Sequence, residues 1–278
     1  MKQLSVSVIT PAFNEAKTIR WCLESLRQQT DLPLEILVVD DGSTDTTAVL
    51  VNQAAKNYER IRLLQQDHFG PARARNLAAD QAKGKVLVFV DADMEFAPDF
   101  LVNLTRPVLQ GITKGTWSGE EWVKNWDNVW SRCWNFNQGR STASMTGNQG
   151  QKRVFRAILK SEFMRVGGFD SIGYTDDWTL VNKLGYQPKA TRAKFYHYNP
   201  DSLNSVFSQA YWIGQRQYKL GKLGTFITLV KFNPVFSLIV GLVKAVQHLE
   251  LRFIFFKLVH DWGIVRGAWD QLTKGSRY

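Results

Sequence analysis

The sequence predicts an α/β fold with an open, mostly parallel sheet flanked by helices. Three observations lead to this prediction. Short β-rich runs alternate with amphipathic helical segments over residues 4–90. Acidic residues follow directly after two of those runs. After residue 220 the pattern changes to an apolar stretch interrupted by single basic residues. We therefore expect a sheet-based domain followed by an amphipathic helical tail.

Each strand and helix of the first part has its own signal. The strands are "LSVSVITPAF", "LEILVVDD", "RIRLLQQ" and "KVLVFV". A helix over roughly 15–29 follows the first strand, with Asn14 as its N-cap, and "GSTDTTAVLVNQAAKN" and "GPARARNLAADQAKG" supply two more. Right-handed crossovers between parallel strands place all the carboxyl ends at one edge, where ligands bind. Asp40, Asp41, Asp91 and Asp93 are therefore expected at that edge.

The segment "LVFVDADM" ends a buried strand with two carboxylates. If the chain stays extended, Asp91 and Asp93 point to the same side, because side chains two residues apart share a face. Carboxylate oxygens are ligands for hard divalent cations, so Mg²⁺ or Mn²⁺ is the expected metal, and the sequence does not separate the two. The alternative is a pair of aspartates that only cap a loop.

Several segments, in this order, resemble the signatures of glycosyltransferase family 2, whose members have the GT-A fold. They are "VSVITPAFNEAKTI", "EILVVDDGSTDTT", "GPARARNLA", "VLVFVDADM", "GGFD", "TDDWTL" and "YHYNPDSL". The resemblance implies a catalytic domain over 1–220, with a nucleotide-binding half at about 1–115 and an acceptor half at about 116–220. It implies inverting, metal-dependent transfer of a sugar from a UDP- or GDP-linked donor. The acceptor would be a hydroxyl of a glycan or, if the tail holds the protein at a membrane, of a lipid-linked molecule, in cell-envelope or polysaccharide biosynthesis.

The same resemblance assigns nucleotide-binding residues. Pro11, Ala12 and Glu15 would line the base and ribose, and Asp41 would accept a hydrogen bond from a ring N–H. Arg75 would face the base or the diphosphate. Asp91 would contact the nucleotide and the metal, and Asp93 would be the more direct metal ligand of the DXD motif.

The remaining site residues lie in the second half of that domain. The family's acidic pair, usually Glu-Asp, is here Asp176-Asp177. The resemblance makes Asp177 the general base that takes the acceptor's proton, with Asp176 as the other candidate, and one of them could instead stabilise the N-terminus of the following helix. His197 stands where relatives have a histidine facing the metal or diphosphate, although a lone histidine can also be purely structural.

The tail over 221–278 is expected to be helical. Its longest run without charge is shorter than the ~20 apolar residues that cross a bilayer. Three interpretations stay open: helices lying in a membrane interface, a kinked span, and a pair packed in a core or dimer. For the interfacial interpretation, Lys231, Lys244, Arg252 and Lys257 would lie at the lipid headgroups. The protein would then work at the cytoplasmic face of a membrane, either peripheral or integral.

Composition limits the alternatives. The 278 residues contain 35 basic and 25 acidic side chains, a formal charge of +10, which suits an anionic partner. No nucleic-acid recognition motif appears, so we expect the protein not to bind nucleic acid. A nucleotidyltransferase would show a glycine-rich phosphate loop after the first strand, where this chain has "TPAFNEAKT". A non-catalytic nucleotide-sugar or lipid binding module would not need the acidic residues Asp91, Asp93 and Asp177. Cys22 and Cys133 are expected to be buried thiols.

Overall fold

The computed structural model of the chain describes residues 3–145, 154–172, 176–216, 218 and 220–274. Thr175 of the acidic motif and the last four residues of the expected tail lie outside the described residues. The strands are β1 (Val6–Ala12), β2 (Glu35–Asp41), β3 (Ile61–Gln66), β4 (Val86–Phe89), β5 (Met94–Phe96), β6 (Gly115–Val123), β7 (Ala157–Leu159) and β8 (Lys189–His197). The helices are α1 (Ile19–Arg27), α2 (Thr47–Asn57), α3 (Pro71–Gln81), α4 (Phe100–Leu109), α5 (Val129–Asn137), α6 (Lys160–Arg165), α7 (Asp177–Leu184), α8 (Leu203–Gly214), α9 (Gly221–Lys231), α10 (Pro234–Gln247) and α11 (Phe253–Lys274).

The sheet has the strand order β3-β2-β1-β4-β7-β6-β8-β5. The four strands expected from the sequence are present, and β1 pairs in parallel with both β2 and β4 while β2 pairs in parallel with β3. β7 is antiparallel to β4 and to β6, and β5 is antiparallel to β8. The prediction of a mostly parallel sheet is therefore wrong for the second half, and the sheet is mixed. The helical crossovers that enforce parallel pairing stop after β4.

Two hydrophobic cores cover the two faces of the sheet. Successive side chains along a strand point to opposite faces, so Val8 and Val38 contribute to one core while Ile9 and Leu37 contribute to the other. Helices α1, α2 and α4 pack on the first face, and α3, α6 and α7 pack on the second. This packing fixes the carboxyl ends of the parallel strands, which is where the candidate site lies.

The chain divides into two compact units. The first comprises Met1–Trp122, Thr146–Ser171 and Thr175–His197, and it holds the sheet. The second comprises Val123–Met145, Ile172–Tyr174 and Tyr198–Tyr278. The predicted tail thus belongs to a unit that also contains α5 and α8.

Small residues let two helices of the second unit approach closely. A Cβ at Gly267 of α11 would lie 2.1 Å from the backbone oxygen of Tyr211, and one at Gly214 of α8 would lie 2.4 Å from that of Ile264. A side chain at either glycine would force α8 and α11 apart. A separate core forms here around Cys133, Trp134 and Phe256. Cys22 and Cys133 are both free and buried, as expected.

No single helix among the described residues has both the length and the apolar character needed to cross a membrane. The pair α9 and α10 meets those requirements only when taken together, and the two helices are bent by 57° at the break between them. The membrane-associated tail expected from the sequence is therefore still a prediction.

Candidate functional site

The sheet register brings the expected segments to one edge of the first unit. Ala12 at the end of β1 pairs with Asp40 of β2, and Asp41 closes that strand. β4 lies on the other side of β1 and leads into Asp91 shortly after it ends. Because these strands are parallel, their carboxyl ends meet, and the predicted grouping of acidic residues at this edge is confirmed.

Pro11 and Ala12 are buried at the end of β1, and Ala12 belongs to the core on one face of the sheet. The loop that follows them begins at Phe13, whose exposed ring stacks on His68 with 3.9 Å between ring centroids. A contact of Pro11 and Ala12 with the base and ribose stays a prediction.

Asn14 does not cap the first helix, so that prediction is wrong. Its backbone has a φ of 57°, in the left-handed region that asparagine tolerates, and α1 begins only after Thr18 as N-cap. The Asn14 Oδ1 accepts hydrogen bonds from the backbone N–H of Thr44 at 2.8 Å and of Asp45 at 3.3 Å. The side chain therefore joins the loop after β1 to the loop after β2.

Asp41 holds the loop that follows β3. Its Oδ1 accepts from Gln66 Nε2 at 2.6 Å and from the Phe69 N–H at 3.0 Å. Its Oδ2 contacts His68 Nδ1 at 3.0 Å and accepts from the Gly70 N–H at 3.0 Å. A nucleobase N–H would have to share these oxygens, so the expected role of Asp41 as its acceptor stays a prediction.

Asp91 is bound by two arginines. Its Oδ1 lies 2.8 Å from Arg75 Nη2, and its Oδ2 lies 3.2 Å from Arg156 Nη1. Burial would raise the pKa of Asp91, but the charges of Arg156 and Arg75 outweigh burial and hold that pKa well below its usual value. Asp91 is therefore an ionised carboxylate with both oxygens occupied.

Arg75 also binds the acidic pair. Its Nη1 lies 3.3 Å from Asp176 Oδ1 and 2.9 Å from Asp177 Oδ1. Burial would lower the pKa of Arg75, yet the charges of Asp177, Asp176 and Asp91 raise it. Because three carboxylates occupy this guanidinium, a contact with the base or diphosphate would require it to release at least one of them.

The two members of the acidic pair have different surroundings. Asp176 is buried, whereas the side chain of Asp177 at the start of α7 is 33% exposed. Burial raises the pKa of Asp176 to about 7, with Arg75 acting against that rise and Asp177 adding to it. Asp177 is thus the member of the pair that the hydroxyl of an acceptor in solvent can reach, whereas Asp176 is buried.

Asp93 pairs with His197 and not with the arginines. Its Oδ2 lies 3.0 Å from His197 Nε2. Burial would lower the pKa of His197, but the charge of Asp93 raises it to about 9. An extended segment would place the carboxylates of Asp91 and Asp93 on the same side. The backbone between them forms a turn instead, and the two carboxylates bind different partners. Burial together with the Asp93 charge raises the pKa of Glu15 to about 8, which places a protonated carboxyl beside this pair at neutral pH.

A divalent cation fits beside Asp93. The Oδ1 of Asp93 and the Nδ1 of His197 are buried without a hydrogen-bond partner. The described residues contain no group of three or more histidine, cysteine, aspartate or glutamate side chains arranged around a metal. Mg²⁺ characteristically takes only one or two protein carboxylates and completes its shell with substrate phosphates and water, so one free aspartate oxygen suits a cation that arrives with a diphosphate.

Arg156 is the site residue that sequence reasoning missed. It precedes β7 directly, and its guanidinium lies over the Phe195 ring, 5.3 Å from the centroid. The available signal was one arginine inside the apolar run "VFRAIL", because a charge in a buried strand needs a partner. Its partner is Asp91, 65 residues earlier in the chain.

The chain matches the family model described as "Glycosyl transferase family 2" over residues 7–157. It is 35% identical over 147 residues to the uncharacterized glycosyltransferase YibD of Escherichia coli, a match that covers 51% of this chain and 41% of that protein. The matched region therefore spans less than half the length of this curated relative.

Solved structures are similar in fold. S. aureus TarS in complex with UDP-GlcNAc aligns with a TM-score of 0.53 and 18% identity, covering 98% of this chain and 92% of that one. The mannosyltransferase PcManGT of Pyrobaculum calidifontis, in complex with GDP-Man and Mn²⁺, aligns with a TM-score of 0.52 and 19% identity, covering 98% of this chain and 75% of that one.

Proposed function

Since the chain belongs to glycosyltransferase family 2, we propose that it transfers a sugar from a nucleoside diphosphate donor to a hydroxyl group, with inversion at the anomeric carbon. The single observation that supports this most directly is the Arg75 guanidinium, which binds Asp91 and the acidic pair at once. The acidic motif after β4 and the acidic pair at the start of α7 thereby form one cluster.

The donor would be UDP- or GDP-linked. TarS was solved with UDP-GlcNAc and PcManGT with GDP-Man, and both have the same fold as this chain. The donor would bind at the carboxyl ends of β1, β2 and β4, with Pro11, Ala12, Glu15 and Asp41 on the nucleotide side.

Mg²⁺ or Mn²⁺ would be held by Asp93 through its unpaired Oδ1, with His197 as a second contact once their pair opens and the imidazole loses its proton. Such a cation supplies neutralisation of the charge that develops on the leaving diphosphate. Asp91 would act mainly by holding Arg75 and Arg156 in place, because both of its oxygens are already bound. PcManGT, which has this fold, was solved with Mn²⁺.

Asp177 would be the general base. The acceptor oxygen bonds to the anomeric carbon from the side opposite the diphosphate, its proton passes to Asp177, and the bond to the diphosphate breaks with its electron pair leaving on the diphosphate. Arg75 holds Asp177 in position through the 2.9 Å contact, and Asp176 supports Arg75 from its buried side. No covalent sugar–enzyme intermediate is needed for this displacement.

The acceptor would be a glycan or a lipid-linked molecule, and the reaction would serve cell-envelope or polysaccharide synthesis. The purified full chain should be incubated with a panel of UDP- and GDP-linked sugars, Mn²⁺ and short glycan acceptors, and both donor hydrolysis and transfer should be measured. We expect one donor to be turned over, and turnover to stop with a chelator. If no donor reacts faster than with the Asp177→Asn variant, the proposal is wrong.

A further inference from the structure

Helix α10 has an apolar outer face and an inner face of small residues. Its large exposed apolar side chains are Val235, Phe236, Leu238, Ile239, Leu242, Val243 and Val246. Its buried positions are Ser237, Gly241 and Ala245. A helix on the surface of a water-soluble domain shows the opposite arrangement, with apolar side chains inward.

Helix α9 repeats this arrangement. Leu223, Phe226, Ile227 and Val230 are exposed, at the spacing of one helix face. Thr225 and Thr228 are the buried residues, and their hydroxyls donate to the backbone oxygens of Gly221 and Gly224 within the same helix. Between their ends, both helices thus place hydroxyl and small residues inside the unit and large apolar side chains outside, while the polar side chains Lys222, Lys231 and Gln247 are exposed near the helix ends. We call the exposed apolar side chains of α9 and α10 together the outer face.

The charges under the outer face are paired internally. Asp261 of α11 accepts from Lys257 Nζ at 2.7 Å and from Ser237 of α10 at 2.6 Å, and it contacts His260 Nδ1 at 2.8 Å. All three charged or titratable residues are buried. Ionisable side chains that face a helical interior and bind one another, with small residues at the helix contacts, are typical of helices packed in lipid.

The basic residues expected at the headgroups mostly have other partners. Lys257 is buried with Asp261, Lys244 donates to the backbone oxygens of Phe136 and Asn137, and Arg252 pairs with Glu250. Lys231, at the end of α9, is exposed. Lys257 is therefore too buried to lie at the headgroups as predicted, whereas the headgroup positions of Lys231, Lys244 and Arg252 stay a prediction.

We propose that the outer face inserts into one leaflet of a lipid bilayer. The inner sides of both helices pack within the unit, where a Cβ at Gly241 would lie 3.3 Å from the Ile254 Cα, so lipid reaches only one side and the helices do not span. A protein partner is disfavoured because protein interfaces carry about one hydrogen bond per 100–200 Å². The seven exposed side chains of α10 between Val235 and Val246 contain no polar atom.

The test is flotation of the full chain with vesicles of phosphatidylcholine and phosphatidylglycerol. The variant Ile239→Glu/Val243→Glu places two charges on the outer face at positions that are 53% and 62% exposed. The matched control, Val49→Glu/Ile112→Glu, changes residues of the first unit that are 55% and 59% exposed. We expect the first variant to lose about tenfold or more in vesicle affinity, because a charge in the acyl region is costly, and the control to bind like the wild type.

A second measurement locates the contact. A polarity-sensitive fluorophore on Val243→Cys should shift to the blue on vesicles, and the same label on Ile112→Cys should not; Cys22 and Cys133 are buried and stay unlabelled. Binding should persist at high salt and be removed by detergent. The proposal is overturned if the label at position 243 does not respond, or if salt alone releases the protein. It is also overturned if the protein ignores vesicles while the outer-face variant converts a dimer to a monomer in lipid-free sedimentation.

Discussion

Arg75 and Asp91 form a partly buried ion pair with 2.8 Å between Nη2 and Oδ1. The other terminal nitrogen of Arg75, Nη1, contacts Asp176 and Asp177. One side chain on α3 therefore fixes the distance between the acidic motif after β4 and the acidic pair at the start of α7. A charge with three carboxylate partners is held rigidly, because moving it would leave the buried Asp176 without its ionic partner.

Replacing Arg75 should impair the chemical step more than donor binding. In Arg75→Gln we expect kcat to fall by about 10²-fold or more while the KM for the donor changes much less, because Asp177 loses its position and its stabilising charge. Steady-state kinetics at limiting and saturating donor concentrations measure both parameters.

The matched control for that experiment is Arg73→Gln. Arg73 lies on the same helix but is exposed, with its guanidinium over the Phe69 ring. The Arg73→Gln variant should leave kcat unchanged. A rise in donor KM with unchanged kcat in Arg75→Gln would show instead that Arg75 contacts the diphosphate, as the family resemblance implies.

Asp177→Asn keeps the shape of the side chain but cannot accept the acceptor's proton. We expect transfer to fall by roughly 10²–10⁴-fold, the usual range for loss of a general base, while UDP or GDP binding survives. Single-turnover kinetics with a saturating donor would measure the loss. If Asp176→Asn shows this loss and Asp177→Asn does not, the roles within the pair are reversed.

Asp93→Ala should remove the dependence of nucleotide binding on metal. Its Oδ1 is the buried carboxylate oxygen of the site that has no partner, and the cation bound there would bridge to the diphosphate. Calorimetry with UDP and GDP, with and without Mn²⁺, should show the gain from metal in the wild type and none in the variant. Asp99→Ala, at an exposed residue before α4, is the control and should keep that gain. An unchanged metal effect in Asp93→Ala would exclude Asp93 as the ligand.

The free energy of unfolding should decrease as the pH rises from about 5 to 8. Burial and Asp93 raise the pKa of Glu15 from 4.5 to about 8, so in this window the folded protein keeps a proton that the unfolded chain has lost. Between the two pKa values, each group that keeps such a proton makes the free energy of unfolding fall by about 1.4 kcal/mol for each unit by which the pH rises. The raised pKa of Asp176 acts in the same direction.

Glu15→Gln isolates the contribution of Glu15. The amide mimics the protonated carboxyl and can still accept the hydrogen bond from Thr18 Oγ1, which lies 2.6 Å from Glu15 Oε2. Urea unfolding at pH 5 and pH 8 should show similar stability for the two proteins at pH 5 and a more stable variant at pH 8. Equal slopes in both proteins would contradict the raised pKa of Glu15.

Much of the fold's first half was predictable, because strand and helix signals are local. The alternation of buried β-rich runs with helices predicted β1 to β4 and α1 to α3, and parallel pairing then required their acidic ends to meet. The antiparallel half was not predictable in this way. β7 has only three residues, and its place between β4 and β6 depends on pairing with strands far away in the chain.

The sequence by itself determined the family and the set of carboxylates, because several motifs in one order are a local and additive signal. The tertiary structure decided which partner each charge has: Arg75 meets Asp176 across 101 residues of chain, and Arg156 meets Asp91 across 65. It also decided which side of α9 and α10 faces outward. Periodicity shows that a helix has an apolar face, but packing decides whether that face points into the molecule or away from it. Only the folded chain shows that Ser237 and Gly241 lie inside while Ile239 and Val243 are exposed.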